Sequence, residues 1–259
     1  MLSVDFNISV VIYIFLVLVR ISTIVFILPV FGANLVPAPW KIAFSLVLSV
    51  VAFLIVPPPD GFYFEATTQN LFVSAAREAL LGLLIGITTG LIFSAVLLGG
   101  QVIGTQMGLA ISNVFDPQHQ ANVSVVASFY YLLATVLFLS VNGHHLVLYG
   151  IRDSFVFFPA GRFSLPMDGM MGLVNLSSKV FVVAVQLASA LMVMLLLVSI
   201  SLGIISRTVP QMNIFIIGFP LQLLVGLFGL VITIPFITKA LVQLFERIPN
   251  DLLVIFGKV

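Results

Sequence analysis

Cysteine is absent from the 259-residue chain, which rules out a disulfide frame, a thiolate nucleophile and a zinc–thiolate site. Charge is nearly as scarce: 7% of the residues are Asp, Glu, Lys or Arg, against roughly 25% in soluble domains. These few charges almost cancel, at a formal +1, and no run of Lys or Arg occurs, so there is no electrostatic footprint for DNA or RNA. A G-x-x-x-x-G-K-[ST] phosphate loop, a G-x-G-x-x-G fingerprint and a G-x-S-x-G elbow are all missing, and with them the usual means of hydrolysing nucleotides or acylating a serine. What fills the chain instead is apolar, at 61% of residues, and this composition belongs to an integral membrane protein. Asp5 stands where a secretory signal would be positive, and the apolar run from Ile8 to Leu28 contains Arg20 without an A-x-A-like cleavage site. We read that run as a retained first helix.

Further apolar segments follow at Trp40–Val56, Leu71–Gly100, Val123–Val141, Met171–Ser206 and Ile214–Phe245, each punctuated by Pro, Gly or charge. The fold class expected is all-α and membrane-integral, with about six helical regions. Pro29 to Pro39 and Val56-Pro-Pro-Pro-Asp-Gly61 are breaks that cannot lie inside helices. Residues Asn142 to Asp168, with Arg152, Asp153, Pro159, Gly161 and Arg162, form the longest polar connection. The fifth segment, about 36 residues, would measure roughly 54 Å as one helix at ~1.5 Å per residue, against a hydrocarbon core of roughly 30 Å. Tilt and kinks would absorb that excess; so would cover from other subunits. The basic residues do not separate onto alternate loops, so the positive-inside rule gives no orientation.

Few residues have the chemistry for a site. Arg20, Arg77, Glu78 and Lys179 fall inside apolar segments, where ions are expected to be buried and to face one another, a water path or a protein interior. Glu78 is expected to pair with Arg20, Arg77 or Lys179; the alternative, a proton relay, needs successive titratable groups that its segment lacks. His144 and His145 are adjacent, so on a helix they diverge by about 100° and do not form the i, i+4 pair of a zinc site. We expect no metal, no cofactor and no catalytic residue. Gly82, Gly86 and Gly90 repeat at four-residue spacing, as do Gly100, Gly104 and Gly108. Each set lines one helix face and admits a close helix neighbour, from this chain or from another subunit.

Two polar interruptions complete the reading. Residues 108–122 pass from apolar to polar at Phe115-Asp116-Pro117. Such a stretch serves either as an ordinary helix connection or as a hydrophobic constriction, through Ile111, Val114 and Phe115, that closes a pore. Residues 207–213 separate two long apolar runs; Pro210 stops the helix and drives Val209 extended, leaving Gln211 and Asn213 at the tip of a hairpin. On the residues alone, a transporter holding a small solute at helices broken near Pro29, Pro210 or Pro220 stays open as a reading.

Pro210-Gln211-Met212-Asn213, followed by Phe215, Gly218 and Pro220, resembles the FliR family of the flagellar type III export gate. The likeness extends to Arg20, Pro29, Phe31, Gly32, Pro37 and Lys41, to Glu78 with Gly82 and Gly86, to Gln106-Met107-Gly108-Leu109-Ala110 with Phe115-Asp116-Pro117, and to Asn142-Gly143-His144. It implies a channel subunit of the bacterial inner membrane, at the flagellar basal body. That subunit assembles with FliP and FliQ, carries FlhB and FlhA, and conducts unfolded proteins. An export gate of a virulence injectisome is the neighbouring alternative. The resemblance further implies a P-like helical part over residues 1–170, with a plug at 108–122 made by Gly108, Ile111, Val114, Phe115, Asp116 and Pro117, and a Q-like hairpin over 171–259. Gly82, Gly86, Gly90, Gly100, Gly104, Pro210, Gln211 and Asn213 are the expected subunit-interface positions.

Overall fold

The computed structural model describes residues 8–31, 36–59, 63–65, 67–109, 124–161, 167–211 and 213–257. Among them the regular structure is helical, with no strand. The helices are α1 (Ile8–Ile27), α2 (Ala38–Ile55), α3 (Thr68–Gln106), α4 (Val125–Ser140), α5 (Gly143–Phe157), α6 (Met167–Thr208), α7 (Ile214–Glu246) and α8 (Ile248–Ile255). Among the described residues five helical stretches are long and apolar enough to cross a membrane. A sixth arises if α4 and α5, separated by a short break at Val141–Asn142, count as one span.

Local chemistry sets most of the boundaries. Pro37 precedes α2 and Pro39 lies in its first turn, where a missing N–H is harmless; the helix stops at Val56, before three successive prolines. Ser124 caps α4 by accepting the Ala127 N–H at 3.1 Å. Asn142, left-handed at φ 56°, then separates α4 from α5. Asparagine is among the few residues that adopt this conformation readily. α7 continues through Pro220 and Pro235, each of which removes one helix hydrogen bond.

The structure departs from the sequence reading at three places. Residues 143–157, taken as polar connection, form α5: Val147, Ile151, Ser154 and Phe155 make one buried face, and the charged Arg152–Asp153 pair masks that periodicity in the linear sequence. The third segment is longer at both ends, 39 residues, or about 58 Å, because Gln101 and Gln106 continue the helix without breaking it. Finally, the C-terminal residues add α8, opened by Pro249 in its first turn.

The chain divides into two compact units. The first comprises residues 1–91, 142–176 and 246–259. Its core is built from Leu16, Ile21 and Ile24 of α1, Leu81 and Ile85 of α3, Ile151 and Phe155 of α5, and Leu252 and Ile255 of α8, all buried. Small residues set its close contacts. A Cβ at Gly82 would lie 2.6 Å from the Arg20 carbonyl oxygen, and one at Gly86 would lie 2.8 Å from Ile27, so α3 rests directly on α1. α2 lays Lys41, Ser45 and Ser49 inward at four-residue spacing. Both serine hydroxyls bond back to carbonyls one turn earlier, while the Lys41 ammonium stands 5.7 Å from the Phe26 ring centroid.

The second unit comprises residues 92–141 and 177–245. Phe93, Phe138 and Phe245 form its aromatic centre, with ring centroids 5.2–5.6 Å apart. α3 meets α4 at Gly100, where a Cβ would sit 2.5 Å from the Ala127 Cα, and α6 at Gly99, where it would sit 3.0 Å from the Ala184 carbonyl oxygen. α6 and α7 pair as a long antiparallel hairpin. Its register is marked by Gly229 against Leu191 and by the Gln222 amide donating to Ser199 Oγ at 3.2 Å.

Candidate functional site

One polar cluster is sealed inside the first unit. α1 carries Arg20 on the same face as Leu16, Val17 and Ile24, and α3 carries Glu78 one turn before Gly82. The two side chains are fully buried, and Arg20 Nε donates to Glu78 Oε2 at 2.5 Å. Gly82 makes this possible by letting the α3 backbone approach α1 at the level of Arg20. The remaining donors reach α5: Nη1 donates to the Ser154 carbonyl at 3.0 Å and to its hydroxyl at 3.2 Å, and Nη2 to the Phe158 carbonyl at 2.8 Å. The guanidinium lies 4.0 Å from the Phe155 ring centroid. Glu78 Oε1 accepts the Gly161 N–H at 2.8 Å; Gly161 adopts φ 83°, a conformation that suits glycine.

The physical consequence is a four-way clamp. A helix C-terminus exposes carbonyls and partial negative charge, and here a guanidinium meets that end of α5 while its counter-ion holds the turn that follows. Four of the five guanidinium N–H groups and both carboxylate oxygens have partners, which meets the conditions under which a buried ion pair persists. Glu78 is thus occupied in holding structure.

The other expected positions are distributed as follows. Arg77 and Lys179, expected to be buried, are exposed on this chain: α3 turns Arg77 away from the α1 contact that takes Glu78, and Lys179 lies on the outer side of α6. Gly82, Gly86, Gly100 and Gly104, expected at a subunit interface, are used inside the chain, against Arg20, Ile27, Ala127 and Ser124. Gly90 has only the Pro29 side chain near it, at an ordinary 3.7 Å. Gly108 ends α3 in a left-handed conformation, φ 79°, with its N–H on the Thr105 carbonyl. Ile111, Val114, Phe115, Asp116 and Pro117 lie outside the described residues. An apolar hollow of about 420 Å³ lies in the second unit, its lining including Met107, Leu109, Val125, Phe129 and Leu227.

At the hairpin tip, α6 ends at Thr208, Pro210 and Gln211 form a turn, and α7 begins at Ile214. Pro210, Gln211 and Asn213 are all exposed. Among the described residues no group of three or more His, Asp or Glu is placed to hold a metal. Ser154, Phe158 and Gly161 were not anticipated as partners of the ion pair, although Pro159 and Gly161 mark the turn in the sequence.

Long apolar helices around a buried structural ion pair are the architecture of an all-α integral membrane protein. The sequence matches the family described as bacterial export proteins, family 1, over residues 11–248, and the chain belongs to that family as a member of its FliR group. It is 35% identical over 221 residues to the flagellar biosynthetic protein FliR of Bacillus subtilis (strain 168), covering 84% of each chain. To the FliR of Pectobacterium carotovorum it is 32% identical, over 89% of this chain and 87% of the relative. To that of Escherichia coli (strain K12) it is 31% identical, over 90% and 88%. These relatives are named for flagellar biosynthesis, and the matched family for bacterial export.

Proposed function

We propose that this chain is a core channel subunit of the flagellar type III protein export gate in the bacterial inner membrane, at the basal body. It assembles with FliP and FliQ, carries FlhB and FlhA, and conducts unfolded flagellar proteins while energy is supplied elsewhere. The observation that carries this reading is the extent of apolar helix surface the chain leaves uncovered: Phe181, Val193 and Ile204 on α6 and Phe228, Val231 and Phe236 on α7 are each more than half exposed. α6 alone runs 42 residues, about 63 Å, twice a hydrocarbon core of roughly 30 Å. Lipid covers part of such a surface; neighbouring subunits cover the rest, and they supply partners for the exposed Arg77 and Lys179. Residues 1–170 act as the P-like part and residues 171–259 as the Q-like hairpin, whose tip presents Gln211 and Asn213 to neighbours. The flagellar names of the relatives favour flagellar over virulence export.

In this reading the 108–122 connection seals the resting pore, with Ile111, Val114 and Phe115 forming the dewetted barrier. Replacing it by a short Gly/Ser link is expected to raise ion leakage severalfold in export-competent cells, measured as membrane conductance. Unchanged conductance in a fully assembled gate would remove that role.

A further inference from the structure

We infer that the first unit carries a phospholipid site: one acyl chain lies in a cleft between α1, α2 and α5, and the lipid phosphate is held by Arg152. The cleft, open on one side, has a volume of about 150 Å³. Its floor is Ile21, Ile151 and Phe155, all buried; its outer wall is Val51, Ala52 and Ile55 of α2. An enclosed apolar cavity of this size accepts a guest on the scale of benzene, so the cleft has room for one bent acyl segment. Arg152 is the one charged residue among those lining it.

Three observations select a lipid as the occupant. First, Arg152 is exposed and its side chain makes no hydrogen bond or ion pair among the described residues, so its fork is available for the two oxygens of a phosphodiester. Second, the cleft runs along the last two turns of α2, and the apolar span ends at Val56 before Pro57; that is where a spanning helix reaches the headgroup layer. Tyr149, one turn before Arg152 on α5, is 59% exposed, and exposed Tyr beside Arg is the pairing found at membrane interfaces. Third, the outer face of α2 is apolar along its length, with Val47, Leu54 and Ile55 each more than 60% exposed, so an acyl chain reaches the cleft from bulk lipid without crossing polar surface. Charge and shape thus complement one amphiphile, an anion joined to a hydrocarbon tail.

The test uses the full chain, in its native assembly, reconstituted in phosphatidylcholine nanodiscs doped with spin-labelled phosphatidylglycerol. The immobilised label per chain is the readout. Arg152→Gln is expected to reduce immobilised lipid about tenfold, the effect of losing one charge-assisted contact; Arg152→Lys should retain most of it. Ala52→Phe, which fills the cleft, should reduce it by a similar factor, and millimolar inorganic phosphate should displace none. Because Arg152 is exposed, its Gln variant keeps the fold even if the Ala52 variant does not. No immobilised lipid on the unmodified protein, or equal amounts on the Arg152→Gln protein, would overturn the site. Displacement by inorganic phosphate would reassign it to free anions. Loss of a partner subunit from the Arg152→Gln protein with lipid unchanged would make it a protein interface, equally against the proposal.

Discussion

Substituting Ala for Arg20, or Gln for Glu78, is expected to destabilise the chain by about 3–5 kcal/mol, because either change leaves one fully buried ion without its counter-charge. The loss should be local to the clamp first. With Arg20 gone, the carbonyls of Ser154 and Phe158 lose their donors; with Glu78 neutralised, the Gly161 N–H and the guanidinium both lose an ionic acceptor. Removing both charges together, as Arg20→Met with Glu78→Leu, should cost far less than the sum of the single losses, since no uncompensated ion remains. Detergent-titrated unfolding of the unmodified protein, Arg20→Met, Glu78→Leu and the double variant checks this directly. Additive single effects would show that the two residues act separately, contrary to their shared hydrogen bonds.

The second large effect is steric. Gly82→Val and Gly100→Val are each expected to destabilise by about 1–3 kcal/mol or more, because in both cases the obstacle is backbone: the Arg20 carbonyl oxygen 2.6 Å from a Gly82 Cβ, and the Ala127 Cα 2.5 Å from a Gly100 Cβ. A side chain can rotate away from an intruding methyl group; a helix backbone has to move as a whole. Gly82→Val should also weaken the ion pair, since it separates α1 from α3 at the level of Arg20. Gly90→Ala is the internal comparison, with only Pro29 at 3.7 Å, and is expected to be neutral or stabilising by up to ~1 kcal/mol. Recovery of monodisperse protein, with the same unfolding titration, measures all three. Equal behaviour of Gly82→Val and Gly90→Ala would contradict the packing described.

Much of this architecture was legible in the sequence. Long apolar runs and their Pro and Gly breaks are strong local signals, and they located α1, α2 and the α6–α7 hairpin to within a few residues. The partner of Glu78 was narrowed to three cations without being chosen, yet a finer phase signal was present: Glu78, Gly82 and Gly86 share one stripe at four-residue spacing, whereas Arg77 points about 100° away. The face that packs on α1 therefore takes Glu78 and leaves Arg77 outside. α5 escaped notice because its buried face is short and flanked by His144, His145, Arg152 and Asp153, so composition outweighed periodicity. The hydrogen bonds to Ser154, Phe158 and Gly161 are tertiary and have no counterpart in local spacing. The burial of Lys41 was hidden for the same reason: only the packing of α2 on α1 shows that it is its small face, Ser45 and Ser49, that turns inward.

The exposed apolar helices and the family membership support the proposal that this chain works as part of a hetero-oligomeric membrane assembly. The most direct test is the native mass of the affinity-tagged chain, extracted gently in detergent from its own host. A large complex containing unequal multiples of other small membrane proteins is the predicted result; a lone monomer or homodimer, reproducible across detergents, would contradict it.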